Sequence, residues 1–161
     1  MFWSVGDYLG DRYPGLKRRS IWKTRYGVFA SPAYLKAHGT PNHPDQLAEH
    51  KVIGYLYNQP SNVLVLQDSN GEHIYATPHC QIKTVAGIVE LAEAGLGLMN
   101  APVESGHIQR LLQQDKLAPV LQDYWWLDAE VYAYYHPSTP TQAKVRVFLD
   151  FFLAKREEWQ F

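Results

Sequence analysis

Few residues of this chain have types and spacing that could do chemistry. The best placed are Gln81-Ile82-Lys83-Thr84, which close a strand-like run directly before VAGIVELAEAG, where Val85, Ile88, Val89 and Ala92 fall at helical spacing. A helix starting there would turn free backbone N–H groups and the positive end of its dipole toward the space beyond the strand end. Lys83 and Thr84 would add a cation and a hydroxyl at the same place, a combination suited to an anion such as a carboxylate. The polar loop Asn58-Gln59-Pro60-Ser61 follows a second strand-like run, KVIGYLY. Ligands of open α/β sheets collect at the carboxyl ends of strands, so both segments could face one crevice. The plainer reading is that Thr84 caps the helix and Lys83 is exposed to water.

Other groups point away from catalysis. Gly95-Leu96-Gly97 follows a helix and precedes a strand, whereas a dinucleotide fingerprint follows a strand and opens a helix. It reads instead as a helix stop leading into a tight turn. The seven histidines are scattered, and His79 and Cys80 are neighbours on a strand, where adjacent side chains point to opposite faces. No metal site and no cofactor is expected. Cys80 reads as a small core residue rather than a nucleophile. Glu90 and Glu93, like Glu157 and Glu158, lie on helix faces that read as solvated, as does the basic run Lys17-Arg18-Arg19.

The elements that must position these groups belong to an ordinary globular chain. With 161 residues, 46% hydrophobic and 19% charged, it can form one domain or two small lobes. A formal net charge of −1 argues against nucleic-acid binding by this stretch alone. A single cysteine excludes an intrachain disulfide and favours a reducing compartment. There is no apolar run of about 18 residues and no cleavable leader pattern, so a soluble, cytoplasmic protein without membrane contact is expected.

Residues 7–20 read as a loop, and IWKTRYGVFA as an extended run that stops at Ser31-Pro32. Serine can cap a helix and proline fits its first turn, so AYLKAH is helical, with Gly39 to end it. Pro44 opens a second helix over residues 45–50. VLVLQ and EHIYATP flank Asp68-Ser69-Asn70-Gly71, a hairpin signal. LGLMNAP and DAEVYAYYHP read as strands, and SGHIQRLLQQDKL as a helix. A final helix from about Thr141 places Val145, Phe148, Leu149 and Phe152 on one stripe. Strands alternating with helices give an α/β fold with a mostly parallel or mixed sheet.

In order and at fitting spacing, ASPAYLKAHGTPNHPDQLAEH, VAGIVELAEAGLGL, KLAPVLQDYWWLDAEVYAYYHP and KVRVFLDFF resemble the effector-binding region of LysR-type transcriptional regulators, from about Gly6 to Trp159. The resemblance implies a type 2 periplasmic-binding-protein-like fold: two α/β lobes with mixed sheets and a small-molecule effector between them. Crossovers near 25–29 and 123–130 would make 30–122 the second lobe, with 1–29 and 123–161 a partial first lobe. Effector contacts carried over by the resemblance fall on Asn58, Gln59, Pro60, Ser61, Gln81, Lys83, Thr84 and Val85, and more weakly on Asn100 and Ala101. Ser4 stands where relatives often carry arginine.

The N-terminal helix-turn-helix and its linker helix have no counterpart here, so the expectation is a bacterial regulator fragment with an incomplete first lobe. DNA would be reached only through the missing domain, and the exposed sheet edge invites a homodimer. A carboxylate-bearing metabolite is the expected ligand. A free-standing solute-binding protein is the alternative, and an enzyme on this fold comes third, because no acid–base pair converges and fold alone does not license an activity.

Overall fold

The computed structural model describes residues 2–5, 15–55, 64–74, 78–136 and 141–155, with the backbone alone at 2–5, 55, 141 and 142. In chain order the elements are β1 (Phe2–Val5), β2 (Lys17–Ala30), α1 (Pro32–His38), a 3-10 helix (Pro44–Glu49), β3 (Lys51–Tyr55), β4 (Leu66–Gln67), β5 (His73–Ile74), β6 (Cys80–Thr84), α2 (Ile88–Glu93), β7 (Met99–Pro102), α3 (Gly106–Gln113), β8 (Ala118–Val120), a 3-10 turn (Gln122–Tyr124), β9 (Trp126–Tyr135) and α4 (Thr141–Lys155). They form two compact units, one of Met1–Thr24 with Asp128–Phe161, the other of Arg25–Leu127.

In the discontinuous unit, β9 lies between β1 and β2, with β1 antiparallel to it in the register Ser4 to Tyr132. Ile21, Ala133, Leu149 and Phe152 form the core, with Trp22, Tyr135, Val145 and Leu153 packed around it. Val145, Leu149 and Phe152 follow the i, i+4, i+7 stripe of a helix laid on a sheet. Phe148 leaves that stripe: it is 43% exposed and stacks on Phe152 at 6.2 Å.

The expected loop over 7–20 is corrected at its end, because β2 begins at Lys17 and runs for 14 residues. Its charges find partners far along the chain, which local composition does not reveal. Arg19 Nη1 bonds Asp150 Oδ1 at 2.6 Å, and the Arg18 guanidinium lies 5.0 Å from the centre of the Tyr132 ring. On the same strands Ser20 Oγ donates to Glu130 Oε1 at 3.0 Å and the Tyr132 hydroxyl donates to Glu130 Oε2. The Tyr132 bond, helped by Ser20, holds the Glu130 carboxyl below its usual range, and the same bond raises the Tyr132 phenol.

The continuous unit carries the larger core, including Phe29, Tyr34, Leu47, Ile53, Leu66, Leu98, Met99 and Ile108. Ser31 Oγ accepts from the Tyr34 N–H at 3.2 Å with Pro32 in the first turn, and the Gly39 N–H closes α1 on the Leu35 carbonyl at 2.8 Å. The second helix is instead a 3-10 helix capped by His43, whose Nδ1 accepts from the Asp45 N–H at 3.3 Å. Among the described residues of the expected hairpin, Leu66–Gln67 and His73–Ile74 pair, antiparallel, across a turn in which Asp68 Oδ1 accepts from the N–H groups of Asn70 (2.8 Å) and Glu72 (2.9 Å), and residues 63 and 75–77 lie outside the described residues. These bonds, the Glu72 one foremost, lower the Asp68 pKa.

β7 and β8 each pair antiparallel with the second half of β2. Sequence reading missed β8, which contains Pro119; proline is confined to the edges of sheets. β3 and β6 pair in parallel, and Leu98 bridges onto β3, taking the Ile53 N–H at 2.8 Å and donating to the Lys51 carbonyl at 2.9 Å. That approach needs glycine at 97, because a Cβ there would sit 2.6 Å from the Lys51 carbonyl oxygen.

Candidate functional site

β3 and β6 end side by side, with Tyr55 opposite Thr84. Strand alternation then sets which way each candidate side chain points. Ile82 packs on the core, Thr84 shares its face, and Gln81 and Lys83 are exposed on the other face of the strand. Lys83 and Thr84 therefore do not converge on one point, contrary to the expectation from their adjacency.

A second correction concerns the helix. α2 does not follow Thr84 directly but begins at Ile88, after Gly87 at φ 75° in the left-handed region. Thr84 Oγ1 accepts from the Ala86 N–H at 3.2 Å and donates to the Ala86 carbonyl, so its hydroxyl closes a turn and does not cap the helix. α2 has only six residues and sums few peptide dipoles, so the helix contributes little toward an anion. The strand ends carry instead a folded turn, Thr84-Val85-Ala86, with Val85 66% exposed.

The remaining candidates sort by burial and partners. Asn58, Gln59, Pro60 and Ser61 lie outside the described residues. Ser4, of which only the backbone is described, belongs to the other unit and pairs there with Tyr132. Ala101 is buried opposite Gly27 of β2. The Asn100 amide is engaged by the protein: Oδ1 accepts from the Val65 N–H at 2.7 Å, and Nδ2 donates to the carbonyls of Gly27 (3.2 Å) and Val65 (3.4 Å).

Cys80 is exposed, which corrects its reading as a core residue: it opens β6 with its neighbour His79 also exposed. The Gly95 turn matches its reading, since the N–H groups of Gly95 and Leu96 return to the carbonyls of Ala92 (3.0 Å) and Leu91 (3.1 Å). Glu93 bonds Lys116 at 2.6 Å rather than being merely solvated. Among the described residues no three His, Cys, Asp or Glu side chains gather as metal ligands would, and no helix is long and apolar enough to cross a membrane.

Sequence reading missed one polar cluster. His50 is buried, with Nδ1 3.2 Å from the Tyr34 hydroxyl, whose oxygen also accepts the Lys51 N–H at 2.9 Å. Burial, seconded by nearby His38 and opposed by Glu49, lowers the His50 pKa, and burial raises that of Tyr34. The pair is 16 residues apart in sequence and has no spacing signature.

With one α/β unit continuous in sequence and one built from both chain ends, the fold is of the periplasmic-binding-protein type. A profile of the LysR substrate binding domain matches residues 5–157, and the chain belongs to that family. The HTH-type transcriptional regulator CrgA of Neisseria meningitidis serogroup C is 28% identical over 138 residues, which is 85% of this chain and 46% of CrgA. An uncharacterised HTH-type transcriptional regulator of Haemophilus influenzae is 29% identical over 134 residues, 80% of this chain and 43% of that protein. The chain thus spans less than half the length of these regulators.

Among solved structures, the CrgA regulatory domain, from a LysR-type regulator of N. meningitidis, superposes with a TM-score of 0.68 at 25% identity, covering 95% of this chain and 73% of that one. Full-length AphB, a virulence activator of Vibrio cholerae, shares the fold with a TM-score of 0.66 at 24% identity, covering 94% of this chain and 50% of AphB.

Proposed function

We propose that this chain is the effector-sensing part of a LysR-type transcriptional regulator, binding a small carboxylate-bearing metabolite and performing no catalysis. The observation that carries the reading is the turn Thr84-Val85-Ala86 at the joined ends of parallel β3 and β6, within a chain matched along residues 5–157 by the family profile. Carboxyl ends of parallel strands are where α/β sheets receive ligands. The exposed Val85 offers apolar contact to the ligand body, while backbone N–H groups of the turn and polar groups of residues 58–61 meet its charge. The discontinuous unit, with Ser4, is the partial first lobe, and the continuous unit is the second.

In the intact regulator, ligand binding shifts the balance between two arrangements of the lobes in a cytoplasmic homodimer, and a helix-turn-helix domain outside this chain contacts DNA. Such a shift requires different affinities for the two arrangements. The relatives' description as HTH-type transcriptional regulators supports this reading.

Thermal stabilisation against a panel of organic acids and amino acids tests the proposal, with Thr84→Val and Lys83→Ala as controls. A ligand that stabilises the wild type should stabilise Lys83→Ala nearly as well and Thr84→Val poorly. Equal shifts in all three proteins would move the site elsewhere. Turnover of a bound compound would favour an enzyme instead.

A further inference from the structure

Asn100 lies on β7 between Met99 and Ala101, both buried, and its own side chain leaves the opposite face of the strand, where it is half-buried. Its amide oxygen holds the Val65 N–H, and its amide nitrogen is directed at two backbone carbonyls, Gly27 and Val65. Both donor hydrogens are thereby accounted for, leaving none for a ligand. One side chain ties together three segments that are distant in sequence.

Two of those ties extend further. Two residues before Asn100, Leu98 is hydrogen-bonded to Lys51 and Ile53 of β3, and β3 pairs along its length with β6, which ends at Thr84. Gly27, at the other end, belongs to β2, the strand that runs from Lys17 in one unit to Ala30 in the other. A Cβ at Gly27 would lie 2.8 Å from the Phe29 ring and 3.0 Å from the Trp125 ring, so the two rings pack directly on the backbone of β2 at this point. The route from the proposed site to β2 is continuous: Thr84, β6, β3, Leu98, Asn100, Gly27. A chain of hydrogen bonds of this kind offers a physical path by which a shift at one end reaches the other.

We propose that Asn100 is a positioning residue that couples ligand occupancy at the β3/β6 strand ends to β2, and that it makes no contact with the ligand. The inference rests on the effector-sensing reading. The variant that isolates it is Asn100→Asp, which keeps the oxygen that accepts from Val65 and loses both donors, so that the Gly27 tie alone is cut between segments. Asn100→Ser is the second variant, in case the carboxylate prevents folding.

The test uses the full chain, the organic acid that most stabilises the wild type in the thermal panel, and hydrogen exchange read at peptides covering residues 25–30 and 64–67. In the wild type the acid should slow exchange over 25–30 by about 5-fold or more, the range of ordinary coupling energies. Asn100→Asp should bind the acid within about 3-fold of the wild-type affinity, keep slow exchange at Val65, and lose the response over 25–30. An undiminished response over 25–30 in the variants overturns the coupling role. A greater than about 10-fold loss of affinity with that response intact marks Asn100 as a ligand contact, which also overturns it. If no acid stabilises the wild type, the effector-sensing reading itself fails before Asn100 is reached.

Discussion

The Tyr34 hydroxyl and the His50 imidazole meet at 3.2 Å in the interior, and the same hydroxyl oxygen takes the Lys51 N–H at 2.9 Å. Neutral His50 can accept the phenolic proton at Nδ1 while the phenol oxygen accepts from the Lys51 N–H. A protonated His50 would present a donor to an oxygen already receiving one, and the phenolic proton would lose its acceptor.

The pair predicts an acid-sensitive joint. Burial lowers the His50 pKa in the folded chain below its ordinary value of 6.5, so the unfolded chain binds the proton more readily. Stability from this group is therefore complete above pH 6.5 and is lost as pH falls through 6.5 toward the folded value. Tyr34 acts at the opposite end: its raised pKa gives stability that is complete below pH 10 and lost as pH rises through the folded value. Urea unfolding of wild type and His50→Gln from pH 8 to 5 checks the first claim. The gap between the two should narrow with acid, and a constant gap would remove His50 as the source.

Gly97→Ala should destabilise the chain, because its methyl carbon would meet the Lys51 carbonyl oxygen at 2.6 Å and the carbonyl carbon at 3.1 Å, both backbone atoms. Relief requires β3 and Leu98 to separate, which weakens the bonds joining Leu98 to Lys51 and Ile53. The expected cost is about 1–3 kcal/mol, typical of overpacking in a tight interior. A urea midpoint equal to wild type would show that the strands separate freely.

What the sequence made legible was local. Ser31-Pro32, Gly39 and the Gly95 turn each act within five residues, and their structures match their reading. The start of β2 was hidden because Arg18 and Arg19 look solvated until Tyr132 and Asp150 are brought beside them. At the candidate site, Lys83 and Thr84 were correctly placed at a strand end, but that end carries the pleat through Thr84 and so separates their side chains. The delayed start of α2 depends on the left-handed Gly87 and on the Thr84–Ala86 bonds, both invisible to periodicity. The family resemblance supplied the expected ligand positions, and residues 58–61 remain outside the described structure.

Cys80 should react with a thiol reagent in the native state. It is the only cysteine of the chain, and it is exposed at the start of an outer strand. One equivalent of thiol per chain should be labelled by a maleimide or disulfide reagent without denaturant. Labelling that waits for urea would mean that the thiol is shielded in solution.

Thr84→Val removes a hydroxyl that both receives the Ala86 N–H and donates to the Ala86 carbonyl, while preserving the branched shape of the side chain. The turn is partly exposed, so water can satisfy the released groups, and the stability loss should be modest, about 0.5–1.5 kcal/mol. The effect on binding should be larger than that figure suggests, because the turn must be held in one geometry before a ligand arrives and an ordered loop avoids an entropic cost on binding. Calorimetric titration with the stabilising acid should show weaker affinity for Thr84→Val than for Lys83→Ala, since Lys83 projects from the opposite face of β6. If Lys83→Ala is the more damaging substitution, the ligand lies on the Gln81–Lys83 face, and the exposed side of this edge strand becomes the site.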